Sequence, residues 1–327
     1  MQIEIYTKSC ELPTLIEGDI HHSAQMFGLL EKSRSSKPYM LVAQENGREL
    51  AHLIIIKRRG VRLLPPVAGF WYTIYGEGVY NAECNGREEV FALFLEKVFD
   101  MFGLHHNYIE IKNIEDPRFA YKLLSEHNFV PIRDCRLYIS LHSRHPAERL
   151  CRKHRSHIRK ATKRGAVCAP ATTAAEIDEG LRLLRNYYRS KIHRPMAETR
   201  IIRGLLIDDS GELTANARLF TVKLKGKIIG CSVCLYSGNR ALLAYSCGLR
   251  KSYPLYYPGL LSVWAAIEDA HKRGYAHIEF LESRTLTGIR SGYRNLLLNF
   301  GSKQVSTLRW YHFRWNIFNK ILRAIYV

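Results

Sequence analysis

Glu279 and Glu282 close a short apolar segment, Ala276-His277-Ile278-Glu279-Phe280, that follows Gly274. A carboxylate at a strand end of an open α/β sheet sits where ligands gather. If it is partly buried and still ionised near neutral pH, it can take a proton from an amine or a hydroxyl. Tyr245 could donate a proton or line the same cleft; a tyrosine packed in the core fits the pattern as well. His193, in Ser190-Lys191-Ile192-His193-Arg194-Pro195, lies in a loop among cations, where it could meet an anionic substrate. No Ser-His-Asp order, metal-ligand cluster or P-loop can be read from the chain, so the expected chemistry is group transfer without a metal.

The strongest charge signal lies elsewhere. Residues 149–164 contain Arg149, Arg152, Lys153, Arg155, Arg159, Lys160, Lys163 and Arg164 and no acidic residue. Leu150, His154, Ile158 and Ala161 recur at helical spacing and form one narrow stripe for docking. Like charges four apart, such as Arg155 and Arg159, each cost a helix about 0.2–0.5 kcal/mol. A bound anion would offset that cost, and the arginine fork suits phosphate oxygens. A solvated surface helix fits the same residues.

The elements that must position these residues follow from patterning. The chain has 327 residues, 46% apolar and 24% charged, enough for two ordinary cores. Lys and Arg number 49 against 30 acidic residues, a net charge of +19. Such a balance speaks of partners: a phosphate-bearing ligand, nucleic acid or an anionic membrane face. Asn46-Gly47 and Lys225-Gly226 each sit between two β-type runs and predict hairpins. A helix over 88–102 and a strand over 108–111 follow the first hairpin. A helix over 260–271, stopped by Gly274, and a strand over 276–280 follow the second. Whole units therefore repeat, as in a domain duplication. A charged helix over 146–163, stopped by Gly165, separates domains 1–145 and 146–327. The eight cysteines read as free thiols in a reducing cytosol, and Cys231-x-x-Cys234 reads as a pair of core cysteines. The tail carries Phe318, Ile321, Leu322 and Ile325 on one helical face. That pattern fits core packing, and it fits an interfacial membrane helix.

The segment Arg155-Ser156-His157-Ile158-Arg159-Lys160-Ala161-Thr162-Lys163-Arg164-Gly165-Ala166 resembles the signature of the Fem-like and BioF2-like acyltransferases. In that family an Arg/Lys-rich helix opens the second GNAT-like domain. Tyr245-Ser246-Cys247-Gly248, the Pro254 to Pro258 loop, the helix from Gly259 and the strand His277 to Phe280 resemble that domain's core. Asn299-Phe300-Gly301 resembles its closing motif. The resemblance implies an α/β fold of two tandem GNAT-like (acyl-CoA N-acyltransferase) domains, each a mixed central sheet flanked by helices. It implies transfer of an acyl group from acyl-CoA or an acyl carrier protein thioester to an amine or hydroxyl. The alternatives are aminoacyl transfer from charged tRNA onto a cell-wall precursor, and a non-catalytic scaffold that binds anions or RNA. Peripheral contact with the anionic inner membrane face is compatible with each.

Departures from the family pattern shape the site. Leu296 and Leu297 stand where the closing motif has Phe and Lys, and Arg290 or Arg294 could replace that lysine's charge. The usual GNAT phosphate loop is missing. The stretch from Arg250, Lys251 and Ser252 to Gly259 takes its place, so Gly248, Arg250, Lys251 and Gly259 are the expected donor-binding residues. Arg152, Arg155, Arg159, Lys160 and His193 are the expected contacts to a phosphate-bearing substrate.

Overall fold

The computed structural model describes residues 1–59, 70–102, 106–114, 116–192, 196–281 and 291–326, and of 291–293 the backbone. The chain forms two compact units, one of Met1–Asp134 with Ser306–Val327 and the other Cys135–Val305.

In the first unit, β1 (Gln2–Tyr6), β2 (Ser36–Glu45), β3 (Arg48–Arg59), β4 (Phe70–Tyr75), β6 (Tyr108–Lys112) and β13 (Lys303–Phe313) lie side by side in that order. The short β5 (Val79–Tyr80) pairs with β3. The hairpin turns at Asn46 and Gly47, both at positive φ, as a two-residue turn between twisted strands requires. The β4–β6 pair is parallel and β6–β13 antiparallel. The helix α2 (Arg87–Phe102) lays Phe91, Phe94, Leu95 and Val98 on this sheet. The small helices α1 (Ala24–Glu31) and α3 (Tyr121–Glu126) also belong to this unit.

The second unit repeats the plan. Its order is β7 (Val130–Ser140, of which Cys135–Ser140 belongs here), β12 (His277–Phe280), β11 (Arg240–Gly248), β10 (Lys227–Ser237), β9 (Ala217–Leu224) and β8 (Val167–Pro170). The β9–β10 turn places Lys225 and Gly226 at positive φ. The β11–β12 pair is parallel and β12–β7 antiparallel. Its helices are α4 (Pro146–Arg149), α5 (Arg152–Lys163), α6 (Ala174–Tyr187), α7 (Thr199–Leu206), α8 (Pro258–Lys272) and α9 (Ser291–Leu298). The last helix of the chain, α10 (Asn316–Tyr326), belongs to the first unit. The apolar side of α8 meets Phe220, Leu243, Ile278 and Phe280 in the core. Each such side chain, fully buried, is worth about 1.5–3 kcal/mol.

Two features differ from the sequence reading. The unit boundaries fall elsewhere: most of β7 lies in the second unit, and the chain from Ser306 on lies in the first. Alternation identifies a strand and leaves its distant partner open. The charged helix is two helices. Leu150 takes extended backbone and is buried in the core, and Cys151 caps α5 by accepting the His154 N–H at Sγ. Cys231 and Cys234 are core residues, as expected, and Cys231 also neighbours Cys247 across strands with sulfurs 3.5 Å apart. Cys231, Cys234 and Cys247 are buried free thiols.

Candidate active site

The site begins where two parallel strands stop pairing. β11 and β12 pair from Arg240–His277 to Leu243–Phe280, and β11 then runs on from Ala244 to Gly248. Against β10 the register of β11 passes from Leu243 to Tyr245 and leaves Ala244 without a counterpart. Such a bulge bends the strand. Beyond it, Gly230 and Gly248 pair across β10 and β11. A Cβ on Gly248 would fall 2.2 Å from the Gly259 nitrogen, and one on Gly230 would fall 3.0 Å from Pro258. The two glycines thus let the first turn of α8 press onto the strand end.

That first turn is electropositive. α8 has Pro258 at its start, no side-chain cap and no acidic residue in its first turn. The aligned peptide dipoles leave partial positive charge there. The residue before the helix, Tyr257, is held at φ 45, a costly backbone region for a bulky side chain. Its ring stacks face to face on His157 at 3.9 Å. Arg250 and Lys251 are exposed in the loop that leads to it. The loop folds on itself, with Arg250 N–H donating to Gly248 and Tyr253 N–H to Leu249.

The basic helix packs beside this loop. α5 buries His154 and Ala161 and tucks in Ile158, as the stripe predicts. Beyond the His157 stack, Arg164 Nη1 donates to the Leu255 carbonyl at 2.9 Å. Burial, then Lys153, Lys160 and Arg250, hold the His157 pKa below its ordinary value. Arg250 and the basic helix therefore act on one neighbourhood. Arg152, Arg159 and Lys160 are exposed, and among the described residues no carboxylate lies within ion-pair distance of them. Arg155 is engaged differently: its guanidinium donates to the Ala147 and Leu150 carbonyls and ties down the end of α4. The closing motif anchors both α4 and α5. Phe300 packs on His154 at 4.8 Å, and Gly301 lies against Arg149, where a Cβ would be 2.6 Å from the Arg149 Cβ.

Glu279 is buried in β12, with Ile278 and Phe280 turned to the core beside it. Its carboxylate lies 3.6 Å from Arg136 Nη1, on the neighbouring β7. Tyr245 stands three residues beyond Leu242, the partner of Glu279, a rise of roughly 10 Å. Its hydroxyl accepts the Ala197 N–H at 3.1 Å, and its ring meets Tyr188 edge-on at 5.5 Å. Arg294 is exposed on α9, whereas Leu297, at the family's lysine position, is fully buried in the core. Glu282, His193 and Arg290 lie outside the described residues. Arg136, His157 and Tyr257 are additions to the site that the sequence reading missed. One signal was present: Arg136-Leu137-Tyr138 and Arg309-Trp310-Tyr311 repeat the same pattern in the two halves.

Residues 149–288 match the family described as Acetyltransferase (GNAT) domain. FemX shares the fold over 94% of this chain and 95% of its own, with a TM-score of 0.69 at 11% identity. The C-terminal domain of a putative lysylphosphatidylglycerol synthetase from Agrobacterium fabrum gives 0.58 at 10% identity, over 94% of this chain and 92% of that one. A tandem GNAT protein from the clavulanic acid biosynthesis pathway gives 0.50 at 10% identity, over 90% and 88%. No curated protein sequence matches the chain. The chain therefore shares the fold of FemX and of the tandem GNAT protein, and the segment bearing the strand end and the start of α8 matches the acetyltransferase (GNAT) family.

Proposed function

We propose that the chain transfers an acyl group from a thioester, acyl-CoA or an acyl carrier protein, to an amine or hydroxyl acceptor in the cleft of the second unit. The observation that carries this reading is the Gly230–Gly248 pair, which seats the uncapped start of α8 on a strand end running past its parallel neighbour. The backbone of Ala244 to Gly248 can hold an extended thioester arm by strand-like hydrogen bonds. The start of α8, with Arg250 and Lys251, suits the donor's phosphates.

In this reading Glu279 or Glu282 takes the proton of the acceptor as its nitrogen or oxygen bonds to the acyl carbon. The carbon–sulfur bond breaks, and Tyr245 supplies a proton to the departing thiolate. Arg152, Arg159, Lys160 and His193 hold a phosphate-bearing partner, and Arg290 or Arg294 replaces the charge of the family's missing lysine. Aminoacyl transfer from charged tRNA is the second reading, favoured by the cationic α5. Against it stands Leu297, which buries an apolar side chain where the tRNA-dependent members have a lysine.

The test is a donor panel with the purified chain: acyl-CoAs, acyl carrier protein thioesters and aminoacyl-tRNA, following thiol release and product mass. A thioester is expected to turn over, and Gly248→Ala to lower the rate about a hundredfold by displacing the start of α8. A paired Arg250→Ala, Lys251→Ala variant, which leaves the packing intact, is expected to raise the KM for the donor. Turnover of aminoacyl-tRNA alone would transfer the proposal to the second reading. No turnover with any donor class would overturn both.

A further inference from the structure

The last helix of the chain presents its apolar side to solvent. On α10, Asn319 is the residue turned inward: its side-chain amide accepts the Phe313 N–H at 2.8 Å and donates to the Phe313 carbonyl at 2.9 Å. Leu322 is half-buried beside it. At 100° per residue, Ile317, Phe318, Ile321 and Ile325 fall within an arc of about 100° on the side away from Asn319. They are 64%, 45%, 47% and 66% exposed, and Trp315 and Tyr326 are exposed next to them. The opposite arrangement, apolar side inward, is what packing on a core would produce, so core packing does not explain this tail.

Charge indicates what covers the face. No Asp or Glu follows Glu282 in the sequence. Arg314, with its guanidinium 5.5 Å from the Trp315 ring, and Lys320 border the apolar strip. A second protein surface would bury far more than this strip, since stable interfaces cover about 800 Å² per partner. Apolar side chains in a narrow row, aromatic rings at the ends and cations along the margin fit a lipid headgroup boundary. Among the described residues no helix is long and apolar enough to cross a membrane.

We propose that α10 is an interfacial anchor. It lies in the plane of an anionic bilayer with Ile317, Phe318, Ile321 and Ile325 between the acyl chains, while Arg314 and Lys320 meet lipid phosphates. This inference is independent of which acyl donor the second unit uses.

The test uses the full chain and vesicles of phosphatidylcholine with or without phosphatidylglycerol. Cosedimentation with the anionic vesicles is expected, weaker at high salt and weak on phosphatidylcholine alone. The double variant Ile321→Glu, Ile325→Glu changes exposed positions and should retain the parent circular dichroism. Its binding is expected to fall at least about tenfold. The pair Arg314→Gln, Lys320→Gln is expected to weaken binding about thirtyfold on anionic vesicles alone, at about 1 kcal/mol per basic residue. Absence of binding by the parent chain, or equal binding by the glutamate variant, overturns the proposal. So does a parent dimer that the glutamate variant dissociates in sedimentation equilibrium, because the face would then belong to a second copy.

Discussion

Both units set a glutamate in the inner strand of a parallel pair and face it with an Arg-x-Tyr strand. In the first unit, Tyr311 Oη donates to Glu110 at 3.0 Å, and Lys112 and Arg309 approach it at 3.3 and 3.5 Å. Arg309 also bonds Asp134 at 2.6 Å. In the second unit, Arg136 meets Glu279, while the ring of Tyr138, opposite Glu279, packs against His277. The helix starts differ more sharply. α2 opens with Glu88 and Glu89, so its own side chains answer the positive end of the helix. α8 opens with no acid, no side-chain cap and a glycine-lined approach. One scaffold is thus electrostatically closed in the first unit and ready to receive an anion in the second.

The largest effect should come from exchanging the two glutamates' fates. Glu279→Gln is expected to lower the transfer rate by roughly 10²–10⁴ if Glu279 is the base, with donor affinity near normal. Glu110→Gln is expected to leave the rate within about threefold and to lower the melting temperature, because it removes the carboxylate from a buried ion cluster. Steady-state kinetics and thermal melts of both variants check this. If Glu110→Gln lost activity as severely, the division of labour between the units would fail. If Glu279→Gln kept full turnover, the proton would have to leave by another route.

Some of this division was legible in the sequence. Asn46-Gly47 and Lys225-Gly226 announced the hairpins because few residues tolerate positive φ at both turn positions. The stripe of His154, Ile158 and Ala161 correctly gave the buried side of α5. The break at Leu150 was hidden because Leu150 also fits the helical period, and its extended backbone follows from tertiary packing and the Cys151 cap. Arg136 could not be joined to Glu279, since alternation does not say which distant strand pairs with which. The role of Gly248 was likewise unreadable as packing: its need for hydrogen in place of a side chain arises from Gly259, brought close by the fold.

A middle-sized effect separates the cationic surface from the site itself. Arg152→Ala, Arg159→Ala and Lys160→Ala, combined, are expected to weaken binding of a phosphate-bearing ligand several-fold at low salt and to flatten its salt dependence. Arg155→Ala is expected to act on stability instead, because its guanidinium holds the Ala147 and Leu150 carbonyls. Fluorescence titrations at two ionic strengths, with thermal melts, distinguish the two classes. Affinity unchanged by the triple variant would return α5 to the role of a solvated helix.

The smallest effect concerns pH and again contrasts the units. Burial, with repulsion from His157 and Lys153, lowers the His154 pKa from 6.5 to about 4. In the unfolded chain the ring titrates near its ordinary value, so between pH 6.5 and 4 the unfolded state holds more proton than the folded one. Stability from this residue therefore falls as the pH drops through that window and changes little below it. The cost centres on α5, where the neutral ring packs on Phe300. In the first unit, His22 is likewise held near 4, mainly by burial, and one ring nitrogen accepts the Ile54 N–H at 2.9 Å. Protonation there should loosen β3 and leave α5 alone. Hydrogen exchange, corrected for its intrinsic pH dependence, should show α5 amides opening more readily at pH 4.5 than at 6.5, by about tenfold or less. His154→Leu keeps an apolar ring-sized contact and removes the proton site. It should reduce the acid sensitivity of α5 to the part that His157 contributes, while β3 retains its own. An α5 response unaltered by His154→Leu would assign the acid sensitivity to another group and remove His154 from the account of how the basic helix is held.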